Sequence, residues 1–288
     1  MKEMLRNPDF REKLYNLFKY FIYLLLIWNT FLFFQQDWEA STHTFRNGVN
    51  LGDLMMAFTA SIDTLNWVIL LLLFELETCV ISDETLEKKS LKWGLMAVRA
   101  LCYGIIMFAY YGYLVKMMVF YGGVTFSGDD VCRLVDGQLS VVKTLDDYRI
   151  LNMENCGALK GLPLYNMTSK NLISDMNTLS ATRALAWVDV ANASAWLGVV
   201  AILEIDVWFQ LKGSFKGAIL KISKIIKVIL YGTLLGCAVY WGFLGNGFLD
   251  FWDAFLWLLA FAFIEMNVFQ WQEETQEQRL AQNIPDET

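Results

Sequence analysis

Three stretches of the chain carry the same kinds of residue at the same intervals. They read Asp63-x3-Trp67-x7-Glu75-x-Glu77, Asn192-x3-Trp196-x7-Glu204-x-Asp206 and Asp253-x3-Trp257-x7-Glu265-x-Asn267. Each sits in an otherwise apolar run, as in WVILLLLFELE at Trp67–Glu77. A charge at the centre of a membrane-spanning helix costs about 2.5–3.5 kcal/mol on insertion scales, so such residues mark an ion or proton route or a buried partner. Rings of carboxylates favour cations. The chemistry in view is therefore cation or proton conduction. Asp63, Asn192 and Asp253 would serve one depth of the path, and Glu75, Glu77, Glu204, Asp206, Glu265 and Asn267 the other.

Bases recur as well, in Lys19-x3-Tyr23, Arg99-x3-Tyr103 and Lys227-x3-Tyr231. From Glu77 to Arg99 is 22 residues and from Asp206 to Lys227 is 21, whereas the gaps from each base to the next Asp or Asn are 44, 93 and 26. One set of turns is held constant while the opposite loops absorb insertions. At about 100° per residue, Asp63, Trp67 and Glu77 share a stripe, and Glu75 lies about 120° from Asp63. Glu75, Glu204 and Glu265 are thus expected to meet Lys19, Arg99 and Lys227. Such pairs at 4 Å recover up to about 4 kcal/mol at an effective dielectric of 20. The competing reading is that these pairs only staple helices together.

The elements that must hold these residues are membrane spans. Of 288 residues, 56% are hydrophobic and 18% charged, with mean hydropathy +0.38. Soluble domains carry roughly 25% charged residues, so the composition specifies a polytopic membrane protein. A span needs about 20 apolar residues. Windows at 15–34, 59–81, 93–115, 188–210, 225–245 and 249–271 qualify, predicting an all-α integral membrane fold of six helices. The first run is span-length with no small-residue cleavage site after it, so it is expected to stay as an anchor.

The repeated spacings group the six into three parallel two-helix hairpin repeats. Repeat 1 covers 1–91, repeat 2 covers 92–212, and repeat 3 with an acidic tail covers 213–288. Repeats separated by an even number of spans run parallel, which suggests a pseudo-three-fold bundle. Lys and Arg concentrate on the side holding both termini, fifteen against eight, which predicts cytoplasmic N- and C-termini in a plasma or bacterial inner membrane.

The segment 116–187 is expected to form a small outer lobe. Cys132 and Cys156 would staple it as a disulfide, and CRLVDGQLSVVK reads as a hairpin turning at Asp136-Gly137. Its acids, Asp129, Asp130, Asp136, Asp146 and Asp147, would draw cations or be merely solvated. His43, the sole histidine, is expected in a solvated loop. One histidine excludes His-rich metal and haem sites, and no G-x-S-x-G or H-E-x-x-H occurs, so neither catalysis nor a cofactor or metal is expected. Pro8, Pro163 and Pro285 are the only prolines, none within a span, which disfavours proline-broken helices. Expected partners are membrane lipids and either a second copy or another membrane protein, not nucleic acid. The alternative function is a non-catalytic structural or accessory subunit of a larger membrane complex.

Overall fold

The computed structural model describes residues 8–46, 48–50, 52–81, 85, 88–126, 131–135, 139–211, 217–245, 247–261 and 263. Its long helices are α1 (Pro8–Thr44), α2 (Thr59–Glu75, extended by a π turn at Leu76–Val80), α3 (Lys89–Val119), α4 (Met176–Leu211) and α5 (Ala218–Phe243). These five are long and apolar enough to cross a membrane. A further helix, α6, occupies 248–261, and most of the rest of the expected window 249–271 lies outside the described residues. Both α3 and α4 outrun their windows toward the lobe, so the lobe proper is narrower than 116–187.

Neighbours in sequence are neighbours in space. Helix α2 packs on α1 and α3, and α4 on α3 and α5. Trp241 and Cys237 of α5 pack with Phe251 and Ala254 of α6. Tyr15 and Phe18 of α1 then meet Phe263 edge-on, so the last described residue packs against the first helix. One close approach requires glycine: a Cβ on Gly112 would come within 2.8 Å of Thr59 Oγ1 and 3.0 Å of the Met55 carbonyl, whereas at Gly198 only the end of the Leu230 side chain would have to move. Small residues of this kind let helices touch where lipid supplies no hydrophobic drive for their association. The same physics explains the outward-facing Leu17, Leu24, Trp28, Val228 and Phe243, all largely exposed.

The all-α expectation is corrected in the lobe, which holds a five-stranded sheet in the order β1-β4-β5-β2-β3. The strands are β1 (Val124–Phe126), β2 (Ser140–Val142), β3 (Tyr148–Ile150), β4 (Leu164–Met167) and β5 (Leu172–Asp175). Strands β2 and β5 pair in parallel, the others antiparallel. The expected hairpin at Asp136-Gly137 is replaced. Val131–Leu134 is a 3-10 turn, and β2 pairs instead with β3 across the loop 143–147. Asp129, Asp130 and Asp136 lie outside the described residues.

The Cys132–Cys156 disulfide is present and joins two 3-10 turns over a core of Val131, Val141, Leu151, Leu164 and Ile173. A second cluster, including Ala40, Met117, Phe120, Val142, Leu172 and Val190, seats the lobe on the bundle. His43 is not in a solvated loop. It ends α1, with Nδ1 3.0 Å from Ser140 Oγ, a fully buried hydroxyl that also accepts from Arg46.

Candidate functional site

Helical spacing puts each of Asp63, Asn192 and Asp253 one turn before a tryptophan on the same face. In the folded chain all three polar residues line one cavity of about 70 Å³ at the lobe end of the bundle. The three indoles meet beside it, with Trp67, Trp196 and Trp257 ring centres 6.0, 6.3 and 6.5 Å apart. That is several times the roughly 10–15 Å³ needed to hold one water, so the space takes more than one water-sized group.

Sequence reasoning missed much of the lining. Asp37 of α1, Lys116 and Tyr113 of α3, Asp189 of α4 and Asp250 of α6 join the wall, and Asp146 enters from the lobe loop. Six carboxylates therefore surround one lysine. Two of the missed residues did carry a signal, since Asp189 and Asp250 each stand three residues before the repeated Asn192 and Asp253; the first unit has Ala60 there. Asp37 and Lys116 carried none, because they reach the cavity from separate elements; Asp146 is one of the lobe acids, and nothing local marks which of them enters the bundle.

The cavity's acids are held in several ways. Asp37 Oδ2 accepts from the Ser61 amide at 2.9 Å and its hydroxyl at 2.7 Å. Tyr113 donates to Asp63 at 3.2 Å, and the Asn29 amide to Asp253 at 2.9 Å. Lys116 pairs with Asp146. Tyr148, beside that pair, is buried; burial pushes its phenol above its ordinary range, and the protonated hydroxyl donates to the Leu145 carbonyl. Asn192 Oδ1 is buried with no partner among the described residues.

At the opposite end three acids, Glu75, Glu77 and Asp206, each pair with one base. Lys19 binds Glu75 at 2.6 Å, with both side chains almost fully buried, and the Tyr20 and Tyr23 hydroxyls donate to the same carboxylate. The other two bases do not take the partners expected of them. Arg99 pairs with Glu77 at 2.5 Å and Lys227 with Asp206 at 2.6 Å, while the exposed Glu204 accepts only a long hydrogen bond, 3.5 Å, from Tyr103. Glu265 and Asn267 lie outside the described residues.

Helix geometry accounts for this choice. Taking Trp67 as the centre of the stripe, Glu75 and Glu77 fall about 80° to either side. One therefore reaches back to α1 and the other forward to α3. Asp206 likewise reaches forward to α5, where Ser223 also donates to it at 2.7 Å. The near-constant spacing of 22 and 21 residues thus corresponds to the pairs Glu77–Arg99 and Asp206–Lys227.

Between the two ends, the interior beyond the indoles is apolar, filled by Leu26, Leu71, Val199, Leu234, Leu256 and Phe261. Among the described residues no group of three His, Cys, Asp or Glu side chains is disposed to hold a metal. Comparison with protein-family models, curated proteins and solved structures finds no match to the chain.

Proposed function

We propose that the chain is a cation- or proton-conducting membrane channel or transporter whose binding chamber is the cavity at the lobe end. The observation that carries this reading is the chamber's composition: six aspartates around a single, already paired lysine. Three parallel two-helix hairpins about a pseudo-three-fold axis form the frame. That frame is supported by the meeting of the three tryptophans, and by the matched contacts of Tyr23 with Glu75 and Tyr103 with Glu204. With both termini cytoplasmic, as the lysine and arginine bias suggests, the chamber opens outward from a plasma or bacterial inner membrane. The apolar interior beyond the indoles means that passage requires the tryptophan-bearing helices to part. A gated channel or transporter fits better than a permanently open pore. Glu75, Glu77 and Asp206 act in this scheme as staples.

Reconstitution in liposomes tests it. Cation flux above that of protein-free vesicles is expected, and it should fall about tenfold, the equivalent of ~1.4 kcal/mol, in an Asp63→Asn/Asp253→Asn variant. Absence of cation flux, or flux indifferent to the variant, overturns the reading. The apolar interior also favours a second reading, a non-catalytic accessory subunit. A stoichiometric second protein in mild detergent extracts of the native membrane would favour that reading, and a homo-oligomer alone would favour transport.

A further inference from the structure

The chamber's wall is weighted toward acceptors. Six carboxyl groups and the Asn192 carbonyl line it, while Tyr113 donates to Asp63 and the single ammonium, Lys116, is engaged by Asp146. Asn192 Oδ1, buried and unpartnered among the described residues, adds an acceptor that packing alone leaves unsatisfied. Such a wall calls for a ligand rich in donors and positively charged. The rest of the wall is aromatic, since the indoles of Trp67, Trp196, Trp241 and Trp257 line the same space. A bare or hydrated inorganic cation makes little use of four indole surfaces. An alkylammonium ion uses both parts, its N–H groups on the acceptors and its charged head and methylenes against the ring faces. The volume, room for more than one water-sized group, suits an ammonium head on a short alkyl stem.

We propose that the chamber is a binding site for a small organic ammonium ion. The proposal rests on the cation-transport reading and specifies its substrate class. Asp253 and Asn192 supply acceptors, and Trp67 supplies an aromatic face.

Titration calorimetry of the purified full chain in mild detergent tests it, with n-butylammonium chloride as the probe and potassium chloride and n-butanol as references. Saturable heat with butylammonium is expected, reproduced by neither reference at matched ionic strength. Asp253→Asn and Trp67→Leu should each weaken it about tenfold or more. Asp253→Asn is close to isosteric and keeps an oxygen for the Asn29 amide, so its effect is readable even if the tryptophan variant folds poorly. If potassium saturates the chain and butylammonium does not, the substrate class is wrong while cation transport stands. If butylammonium binding ignores both variants, the site lies elsewhere and the proposal falls. If neither cation binds, the proposal falls too, and liposome flux decides separately whether the transport reading falls with it.

Discussion

At the far end of the bundle, Glu75, Glu77 and Asp206 each meet a base on a neighbouring helix. At the lobe end six aspartates share one lysine. Apart from Asp146 of the lobe loop, both ends place aspartate or glutamate on helices, and the ratio of bases to acids differs. Where the ratio is one, the carboxylate is a fastener, and its removal strands a buried cation. Where acids exceed bases, the surplus is available to something that is not part of the chain. The comparison teaches that an intramembrane acid has no function of its own until its partners are counted.

The largest effect is expected at Lys19–Glu75, whose side chains are only 3% and 6% exposed. Glu75→Ala should destabilise the protein by about 3–5 kcal/mol, because removing one member of a buried pair leaves an uncompensated charge. Replacing both, as Lys19→Met with Glu75→Leu, should recover most of that loss. Thermal unfolding in detergent measures both. The Arg99–Glu77 pair, with Arg99 38% exposed, is the internal reference, and its loss should cost about 1 kcal/mol or less. Equal losses at the two pairs would break the link drawn here between burial and fastening.

How the acids divide between fastening and chamber was only half readable from the sequence. The long apolar runs and the acid and tryptophan repeats stand out because helical periodicity is local, and so does the disulfide in a loop with two cysteines. Helix geometry also shows that Glu75 and Glu77 leave α2 on different flanks. What it does not show is which neighbour each flank meets, since that depends on how the helices pack around the bundle. The lobe's sheet stayed hidden because its strands are three or four residues long and β2 finds β5, some thirty residues on, in parallel. Asp146 stands out only as one of the lobe's acids, since nothing local marks which loop residue reaches into the bundle.

A carboxylate beside the lobe gives a third case, satisfied by backbone rather than by a base. Asp175 Oδ1 accepts from the amides of Asn177 at 2.9 Å and Thr178 at 3.1 Å, capping α4. Desolvation works to raise this carboxyl, but the hydrogen bonds from Thr178 and Asn177 outweigh it and hold it below the usual carboxylate range. A depressed value means that the cap's stabilisation is present above the unfolded value of about 3.9 and is lost as pH falls through the lower folded value. Asp175→Ala should cost about 1 kcal/mol at neutral pH. The gap between variant and native melting temperatures should close at low pH. A gap unchanged with pH would show that the charge plays no part in the cap.

The smallest expected effect lies in the chamber and has the opposite sign. Asp63→Asn keeps an oxygen for the Tyr113 hydroxyl and replaces the other with an amide group. The stretch around Trp196 already has an amide at the same spacing, Asn192, and it lines the same cavity. Relief of like-charge proximity at an effective dielectric near 20 should offset the lost hydration, leaving stability unchanged or raised by up to about 1 kcal/mol. Thermal unfolding at low ionic strength is the sensitive measurement, because salt screens whatever part of the repulsion reaches solvent. A loss comparable to that of Glu75→Ala would show that Asp63 is as firmly partnered as the acids of the far end. The chamber would then be a second set of fasteners, with no surplus of acid left to bind a cation.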